Sequence, residues 1–337
     1  MSFSASQLPA HYRPALDIMQ TEIAIKLVKD TFERELADKL HLTRVSAPLF
    51  VRKDSGLNDN LNGTERPVGF DIAAIGGEVE VVHSLAKWKR LALKRYGFGP
   101  NTGLYTDMNA IRRDEELDQL HSVYVDQWDW EKIITPETRT PETLRHTVRR
   151  VMRALRETEE ILHRDNPEIE PFISEKVAFL TAQELLERYP GLTPKERENA
   201  AAKEFGTVFI MGIGGRLSDG QPHDGRAPDY DDWELNGDIL IWYPLLGRAI
   251  ELSSMGIRVD PQSLRRQLAL AGCEGRAALP YHKMLLDGEL PLTIGGGIGQ
   301  SRLCMLLLQK AHIGEVQSSL WDDATLRACA ERGITLL

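Results

Sequence analysis

One run of glycines, at residues 295–302, ends in an arginine and has the composition of a phosphate-binding turn. Gly295, Gly297 and Gly299 alternate with other residues, and Arg302 follows at the predicted start of a Leu-rich helix. Glycine lets the backbone approach a ligand closely, and an arginine in the first turn of a helix favours anions. The run is not a Walker loop, because no Lys-Ser/Thr follows, and no early βαβ unit makes it a dinucleotide fingerprint. Alone, this pattern is equally compatible with a purely structural turn.

Two earlier stretches give the glycine run a context. The sequences VSAPLF at 45–50, RRDE at 112–115 and GGGIGQSR at 295–302 resemble, in that order, the three signature motifs of class II aminoacyl-tRNA synthetases. Further stretches narrow the resemblance: HSLAKWKR at 83–90, HSVYVDQWDWE at 121–131, APDYDDW at 227–233, LNGDIL at 235–240 and ELSSMGIRVD at 251–260. They are similar to the aspartate-ammonia ligase family, the ammonia-dependent asparagine synthetases, which share that catalytic fold. This resemblance extends from about residue 14 to the end of the sequence.

The resemblance implies an ATP-dependent, AMP-forming reaction in two steps. The side-chain carboxylate of L-aspartate attacks the α-phosphorus of ATP to give β-aspartyl-AMP and pyrophosphate, and free ammonia then displaces AMP to give L-asparagine. Positioning and charge neutralisation would be the protein's main contribution, and well-oriented reactants gain ~7 to 11 kcal/mol. ATP with Mg²⁺, aspartate and ammonia are the expected partners, without nucleic acid or membrane, in a homodimer.

By the same resemblance, one group of residues binds ATP or AMP: Arg112, Asp231, Asp238, Glu251, Ser254, Gly297, Gly299 and Arg302. Arg112 would hold the α-phosphate as negative charge grows there, and Arg302 would hold the triphosphate tail. Asp238 and Glu251 match the acidic pair associated with the metal. Mg²⁺ that bridges phosphates commonly takes only one or two carboxylates plus water.

The aspartate pocket that the resemblance implies has five members: Asp59, Lys89, Gln127, Asp129 and Arg258. Because aspartate offers one ammonium group and two carboxylates, we expect Asp129 with Gln127 near the ammonium, and Arg258 with Lys89 near the carboxylates. Asp59 and Lys89 join Arg112 and Arg302 as the expected catalytic residues. Asp59 could order over the substrate or accept a proton from incoming ammonia, and the sequence leaves both roles open.

Residue type alone gives several of these positions simpler interpretations. Lys89 has four basic neighbours on one predicted helix, a pattern that indicates a solvated charge roughly four times in five. Asp231 lies among acids that often form turns or caps, and Glu251 could be a polar residue at a strand end. His83 and His121 lack a triad and are interpreted as structural. The connection between 232 and 236 is shorter than in the family, so we expect a trimmed loop beside an intact site.

The composition is that of an acidic globular protein. Among 337 residues, 41 Lys plus Arg oppose 50 Asp plus Glu, which gives a formal net charge of −9 and does not favour a nucleic-acid-binding surface. Uncharged runs are too short to cross a bilayer, and 1–13 does not look like a signal peptide, so we expect a cytoplasmic protein. Cys273, Cys304 and Cys329 fit neither a disulfide framework nor zinc spacing.

The pattern of elements predicts an α+β fold with a mostly antiparallel sheet flanked by helices. We expect helices over 18–40 and 84–96 and from 140 and 300, capping boxes at Thr181 and Thr193, and a hairpin over 71–83. Strands are expected over 43–51, 103–113, 122–130, 207–213, 237–243, 249–259 and 292–297. The predicted organisation is an N-terminal extension (1–13) and a single catalytic domain (14–337), in which 137–205 is a helical insertion packed on the sheet.

Two alternative functions stand beside the ligase. An aspartyl- or asparaginyl-tRNA synthetase would bring an anticodon-binding barrel, for which about 40 residues before the first motif leave no room. A non-catalytic synthetase-like regulatory subunit would lack phosphate-binding arginines or acids, whereas Arg112, Asp238, Glu251 and Arg302 are all present. Ser at position 2, instead of a nucleophilic Cys, favours free ammonia over glutamine as the nitrogen donor.

Overall fold

An eight-stranded sheet forms the centre of the computed structural model, which describes residues 4–58 and 65–337. In spatial order its strands are β1 (Leu42–Arg44), β5 (Gly103–Ile111), β6 (Tyr124–Ile133), β11 (Thr293–Gly299), β10 (Arg248–Arg258), β9 (Asp231–Tyr243), β8 (Thr207–Met211) and β7 (Ala178–Thr181). A smaller sheet contains β2 (Phe50–Arg52), β4 (Gly77–Val81) and β3 (Gly69–Ile72). Within the main sheet, β1–β5 and β7–β8 are parallel, and the five pairs between them are antiparallel. The predicted mostly antiparallel sheet is confirmed.

Helices pack against this sheet, and their starts follow the capping residues of the sequence. The helices are α1 (Ile18–Leu40), α2 (Ala86–Arg95), α3 (Pro141–Asp165), α4 (Ala182–Arg188), α5 (Pro194–Phe205), α6 (Pro261–Leu270), α7 (Pro280–Leu286), α8 (Gln300–Leu307) and α9 (Asp323–Glu331). Thr181 and Thr193 each accept a hydrogen bond from the backbone N–H three residues on, which confirms both capping boxes. In the described part of the chain, no helix has the length and apolar character needed to span a membrane.

The largest core lies between the sheet and helices α1 and α3. Val28 and Phe32 from α1 and Val151 from α3 are fully buried there with Trp128 and Trp130 of β6. Burying each such side chain contributes ~1.5 to 3 kcal/mol. Because successive side chains of a strand alternate between its faces, the odd-numbered residues that flank these tryptophans point to the opposite side of β6.

Two local predictions are wrong. The expected strand over 43–51 is divided into β1 and β2, which belong to different sheets, and Pro48, which has no N–H for a ladder, lies between them. The expected trimmed loop at 232–236 is instead part of β9. Asn236 pairs with Gly256 and Asp231 with Arg258, so several residues of β9 oppose a single residue of β10 in an irregularity that keeps the strand continuous.

Two further segments have specific packing. The middle of the chain, from 137 to 205, contains α3, α4 and α5 and also contributes the edge strand β7. Near the N-terminus, Leu8 and Tyr12 are buried in a small cluster with Ala328 of α9, and the Tyr12 hydroxyl donates to Glu315 Oε2 at 2.9 Å.

Candidate active site

A row of registered residues crosses four neighbouring strands, and those on the first three strands line the floor of a cavity of about 270 Å³. Asp129 of β6 lies opposite Gly297 of β11, Gly297 lies opposite Ser254 of β10, and Ser254 lies opposite Asp238 of β9. Four predicted segments therefore meet in one row, because antiparallel pairing brings residues far apart in sequence to the same level.

The glycines of β11 make room for side chains of this floor. A Cβ added at Gly297 would come within 2.5 Å of Gln127 Oε1, and one at Gly295 within 2.6 Å of Arg258 Nη2. Real Cβ atoms do not approach other atoms so closely, so a side chain at either position would displace its neighbour. Glycine is therefore required here because protein side chains approach the backbone closely. The sequence interpretation had instead explained these glycines by close approach of a ligand.

Most predicted site residues line this one cavity: Arg112, Gln127, Asp129, Asp231, Glu251, Ser254, Arg258, Gly297, Gly299 and Arg302. Arg112 follows β5, and Arg302 lies in the first turn of α8, yet both face the same space. Lys89 and Asp238 lie behind the wall, fully and largely buried. Asp59 lies outside the residues that the structure describes.

At one end of the cavity, buried charges satisfy one another. Arg258 donates from Nε to Glu131 Oε1 at 3.0 Å, from Nη2 to Glu131 Oε2 at 2.8 Å and from Nη1 to Asp231 Oδ1 at 2.5 Å. Burial alone would raise the pKa of Glu131, but Arg258 and Lys89 lower it below its ordinary value. Burial opposes the charge of Arg258, but Glu131 and Asp231 outweigh it and raise its pKa well above the ordinary value.

Lys89 is fully buried beneath the cavity floor and joins the same network of charges. Its ammonium donates to Asp129, to the Trp130 carbonyl at 2.9 Å and to the Gly296 carbonyl at 3.3 Å, and it lies 3.6 Å from Glu131 Oε2. The prediction of a solvated charge by residue type is wrong here, because strands β6 and β11 enclose this side of α2. Lys89 holds the carboxylate of Asp129, whose other oxygen accepts from the backbone N–H of Leu85 at 3.1 Å.

At the other end, two arginines have fewer partners. Arg302 donates from Nη1 to the Glu251 carbonyl at 2.8 Å, and Arg112 donates from Nη1 to Glu115 Oε2 at 3.2 Å. Both are partly exposed to the cavity. Burial is the main cause that lowers the pKa of Arg302, and the charge of Arg112 adds to it. Two guanidinium groups close enough to affect each other create a positive potential that suits phosphate oxygens.

Two acids belong to this part of the site: Glu251 lines the cavity, and Asp238 is buried behind its wall. Burial raises the pKa of Asp238 to about 7; Glu251 adds to the rise, and Arg226 opposes it. Asp238 Oδ1 accepts a hydrogen bond from Arg226 Nη2 at 2.7 Å. Within the described residues, no group of three or more His, Cys, Asp or Glu side chains could hold a metal ion. Two mutually repelling hard-oxygen donors fit Mg²⁺ that is bound largely through phosphate oxygens and water.

Comparison with known proteins identifies the family. The family model described as aspartate-ammonia ligase matches residues 19–333. The chain belongs to this family. A relative from Clostridium perfringens named aspartate-ammonia ligase is 61% identical over 331 residues, and one from Ruminiclostridium cellulolyticum with the same name is 62% identical over 330. Each alignment covers 98% of both chains.

This protein therefore makes asparagine from aspartate and ammonia with ATP, as the sequence predicts. The synthetase-like fold is confirmed as well. Asparaginyl-tRNA synthetase from Pyrococcus horikoshii, in a structure with asparaginyl-adenylate, superposes with a TM-score of 0.66 over 90% of this chain and 70% of that one. Its sequence identity is 14%, so the likeness concerns the fold alone. The two alternative functions are set aside.

Three residues that line this cavity or contact its lining were not singled out by the sequence analysis: Glu131, Arg226 and Asp126. Glu131 lies two positions beyond Asp129, and extending the alternation along β6 would have placed it on the same face. Arg226 lies in an irregular segment where no periodicity indicates its direction. Asp126 accepts from the backbone N–H of Ser301 at 3.0 Å and from Lys29 Nζ at 3.1 Å, which anchors the start of α8.

Proposed function

We propose that this cavity is where ATP and aspartate meet. The observation that carries the proposal is that Arg112 and Arg302 line the same cavity as Gln127, Asp129 and Arg258. A nucleotide held by the two arginines would then present its α-phosphorus to an amino acid bound at the network of buried charges. The cavity thus supplies the proximity that the first step of the ligase reaction requires.

The amino-acid end matches the charges of aspartate. Arg258 uses three of its five N–H groups on Glu131 and Asp231, so each terminal nitrogen keeps one N–H for a carboxylate. Asp129 and Gln127 offer oxygen acceptors for the substrate ammonium. In this proposal Lys89 acts through Asp129, whose carboxylate it orients, and not by direct contact with aspartate.

In the first step, the side-chain carboxylate of aspartate attacks the α-phosphorus and pyrophosphate leaves. Negative charge grows on the α-phosphate oxygens, and Arg112 is positioned to hold it, while Arg302 holds the departing phosphates. Asp238 and Glu251, with Arg226 released from Asp238, would hold Mg²⁺. When bound, the metal would neutralise phosphate charge.

In the second step, ammonia attacks the acyl carbon of the adenylate and AMP leaves. The attacking nitrogen must lose a proton, and we propose Asp59 either as the group that accepts it or as a residue that closes over the substrate. A pH profile of Asp59→Asn separates the two roles, because only loss of a base removes the acidic limb of the second step.

We further propose a homodimer that acts in the cytoplasm, with residues 14–337 as one catalytic domain and 137–205 as its insertion. Leu49, Phe50 and Phe70 form an exposed apolar patch around the small sheet, and the rings of Phe50 and Phe70 are 5.4 Å apart. Such a patch is typical of an interaction surface. Sedimentation of wild type and Phe70→Ser tests it: a dimer that survives the substitution unchanged contradicts this interface.

The function is tested by incubating the purified protein with ATP, Mg²⁺ and aspartate, and with ammonium, glutamine or transfer RNA as acceptor. We expect AMP and asparagine with ammonium, and little product with the other two acceptors. Equal asparagine formation from glutamine would contradict the assignment of free ammonia. Formation of ADP in place of AMP would contradict attack at the α-phosphorus.

A further inference from the structure

We propose a second anion site, for a phosphate-type oxyanion, on the other face of the floor strand β6. A cavity of about 520 Å³ opens there between the end of α1, the end of β6 and the first half of α3. Lys132, Arg150 and His146 contribute cationic or titratable groups to its wall. None of these three residues lines the catalytic cavity.

Lys132 is the centre of the proposed site. It follows Glu131 on β6, so alternation directs its side chain away from the catalytic floor and towards the helices. The residue is only 9% exposed, and among the described residues the charged group that affects its ammonium is Arg150, another cation, and not an acid. An ammonium that lines a cavity and is partly withdrawn from water loses some of its hydration, and an anion in the cavity would compensate for that loss.

The neighbours of Lys132 are themselves basic, so cations repel one another at this wall and an anion would relieve the repulsion. Burial lowers its pKa, and Arg150, another cation, lowers it further. His146 has its pKa lowered by burial, then by Arg150, Arg149, Lys132 and Arg153. Glu142 is an acid at the cavity wall, and its carboxylate forms an ion pair with Arg145 at 3.5 Å.

Neutral donors complete the site. The hydroxyls of Thr135 and Thr143 line the same cavity and can donate to anion oxygens. When Lys132 is protonated, it and Arg150 carry two positive charges, which a divalent phosphate neutralises and a single carboxylate does not. The phosphate could be free in solution or part of a nucleotide; both share the chemistry that the wall recognises.

The proposed site and the catalytic cavity are separate, but consecutive residues of β6 contribute to them. Glu131, which holds Arg258 on the catalytic face, is the immediate neighbour of Lys132 in β6. An anion bound to Lys132 would therefore restrain the strand that also positions Glu131, so occupancy could change aspartate affinity without contact with the substrate.

The direct test uses the unmodified protein. The amine of Lys132 is acylated with a small reagent in the presence of increasing inorganic phosphate, AMP or aspartate, and each lysine is quantified by peptide mass spectrometry. We expect phosphate to protect Lys132 saturably, and aspartate, a carboxylate, to leave it reactive. Protection by AMP as well assigns nucleotide phosphate to the site, and protection by inorganic phosphate alone assigns the free ion. If no phosphate-bearing compound protects Lys132, the proposal is overturned.

Binding by variants provides the second test, measured by calorimetry with inorganic phosphate. Lys132→Met should weaken the second site about tenfold or more. Arg153→Met removes a nearby cation that does not line the cavity and should change the affinity less than about twofold. Arg302→Ala, which disrupts the catalytic phosphate site, should leave binding at Lys132 intact. Phosphate binding that disappears in Arg302→Ala and persists in Lys132→Met would show a single, catalytic site and refute the proposal.

Discussion

The two ends of the catalytic cavity differ in how their charges are satisfied. At the amino-acid end, Arg258 has two acidic partners, and Lys89 is enclosed by a carboxylate and two carbonyls, all buried. At the nucleotide end, Arg112 has one acid at 3.2 Å and 30% of its side chain exposed. Among the residues that the structure describes, Arg302 donates to one backbone carbonyl, that of Glu251. The first end is thus preorganised by the fold, whereas the second keeps donor capacity for a ligand.

This difference predicts different consequences of losing a cation. Breaking a buried ion pair leaves an uncompensated charge and costs ~3 to 5 kcal/mol, whereas an exposed pair contributes about 0 to 1 kcal/mol. Substitutions at the amino-acid end should therefore lower stability together with activity. Substitutions at the nucleotide end should lower activity alone.

The largest effect on stability is expected for Arg258→Met. Glu131 and Asp231 would lose their shared partner in a dry environment, so the free energy of unfolding should fall by ~3 to 5 kcal/mol. Urea unfolding followed by circular dichroism measures it. Because Asp231 and Glu131 both remain, a double variant with Glu131→Gln should recover part of the loss. Unchanged stability of the single variant would show that the network is not preorganised.

Arg112→Ala and Arg302→Ala should each slow aspartate-dependent ATP–pyrophosphate exchange by ~10² to 10³, with unfolding midpoints close to wild type. The reason is that each removes a donor to phosphate oxygens and, within the described part of the chain, breaks one hydrogen bond of its side chain. Arg113→Ala, at an exposed neighbouring position, is the matched control. If either variant exchanged pyrophosphate at nearly the wild-type rate, the proposal that this arginine binds phosphate would be contradicted.

Lys89→Met should raise the KM for aspartate about tenfold while the KM for ATP changes less than about twofold. Without the ammonium, Asp129 loses the partner that orients it towards the substrate. Steady-state kinetics with each substrate varied separately gives the two values. Equal changes in both would indicate a general disturbance of the fold and not a positioning role.

The smallest expected effect is a change in the stability of the fold at acidic pH when Asp118 is replaced. The carboxylate of Asp118 accepts hydrogen bonds from the backbone N–H groups of Leu120 and His121 and contacts the His121 ring. Burial would raise its pKa, but His121, at 2.8 Å, and nearby backbone N–H groups lower it to about 2. A lowered folded-state pKa contributes stability above the ordinary value near 3.8, and this is lost as pH falls towards 2. Asp118→Asn should therefore lose stability at neutral pH and show a shallower decline over that interval. Identical acid-unfolding curves would argue against this pair.

Much of the fold follows from local sequence signals. The apolar stripe of α1 predicts bounds that agree with Ile18–Leu40, and the capping residues fix the starts of α4 and α5. Alternation along β6 places Gln127 and Asp129 on one face. These features are set by neighbours in sequence, so a short window contains the information.

Contacts between distant elements explain what the sequence did not reveal. The run of basic residues on α2 does not indicate that Lys89 is buried. The groups that enclose it belong to β6 and β11, which are distant in sequence. The separation of β1 from β2 depends on which sheet each strand joins. Arg226 lies in an irregular segment, and its contacts with Asp238 and Ser254, which are distant in sequence, reveal its place.

The central claim is that the two arginines and the network of buried charges act on one pair of substrates in one cavity. A crystal structure with aspartate and a non-hydrolysable ATP analogue tests it most directly. The account predicts the α-phosphate about 3 Å from Arg112, the terminal phosphates against Arg302, and the aspartate ammonium against Asp129. A nucleotide bound outside this cavity, or aspartate bound away from Gln127 and Arg258, would contradict it.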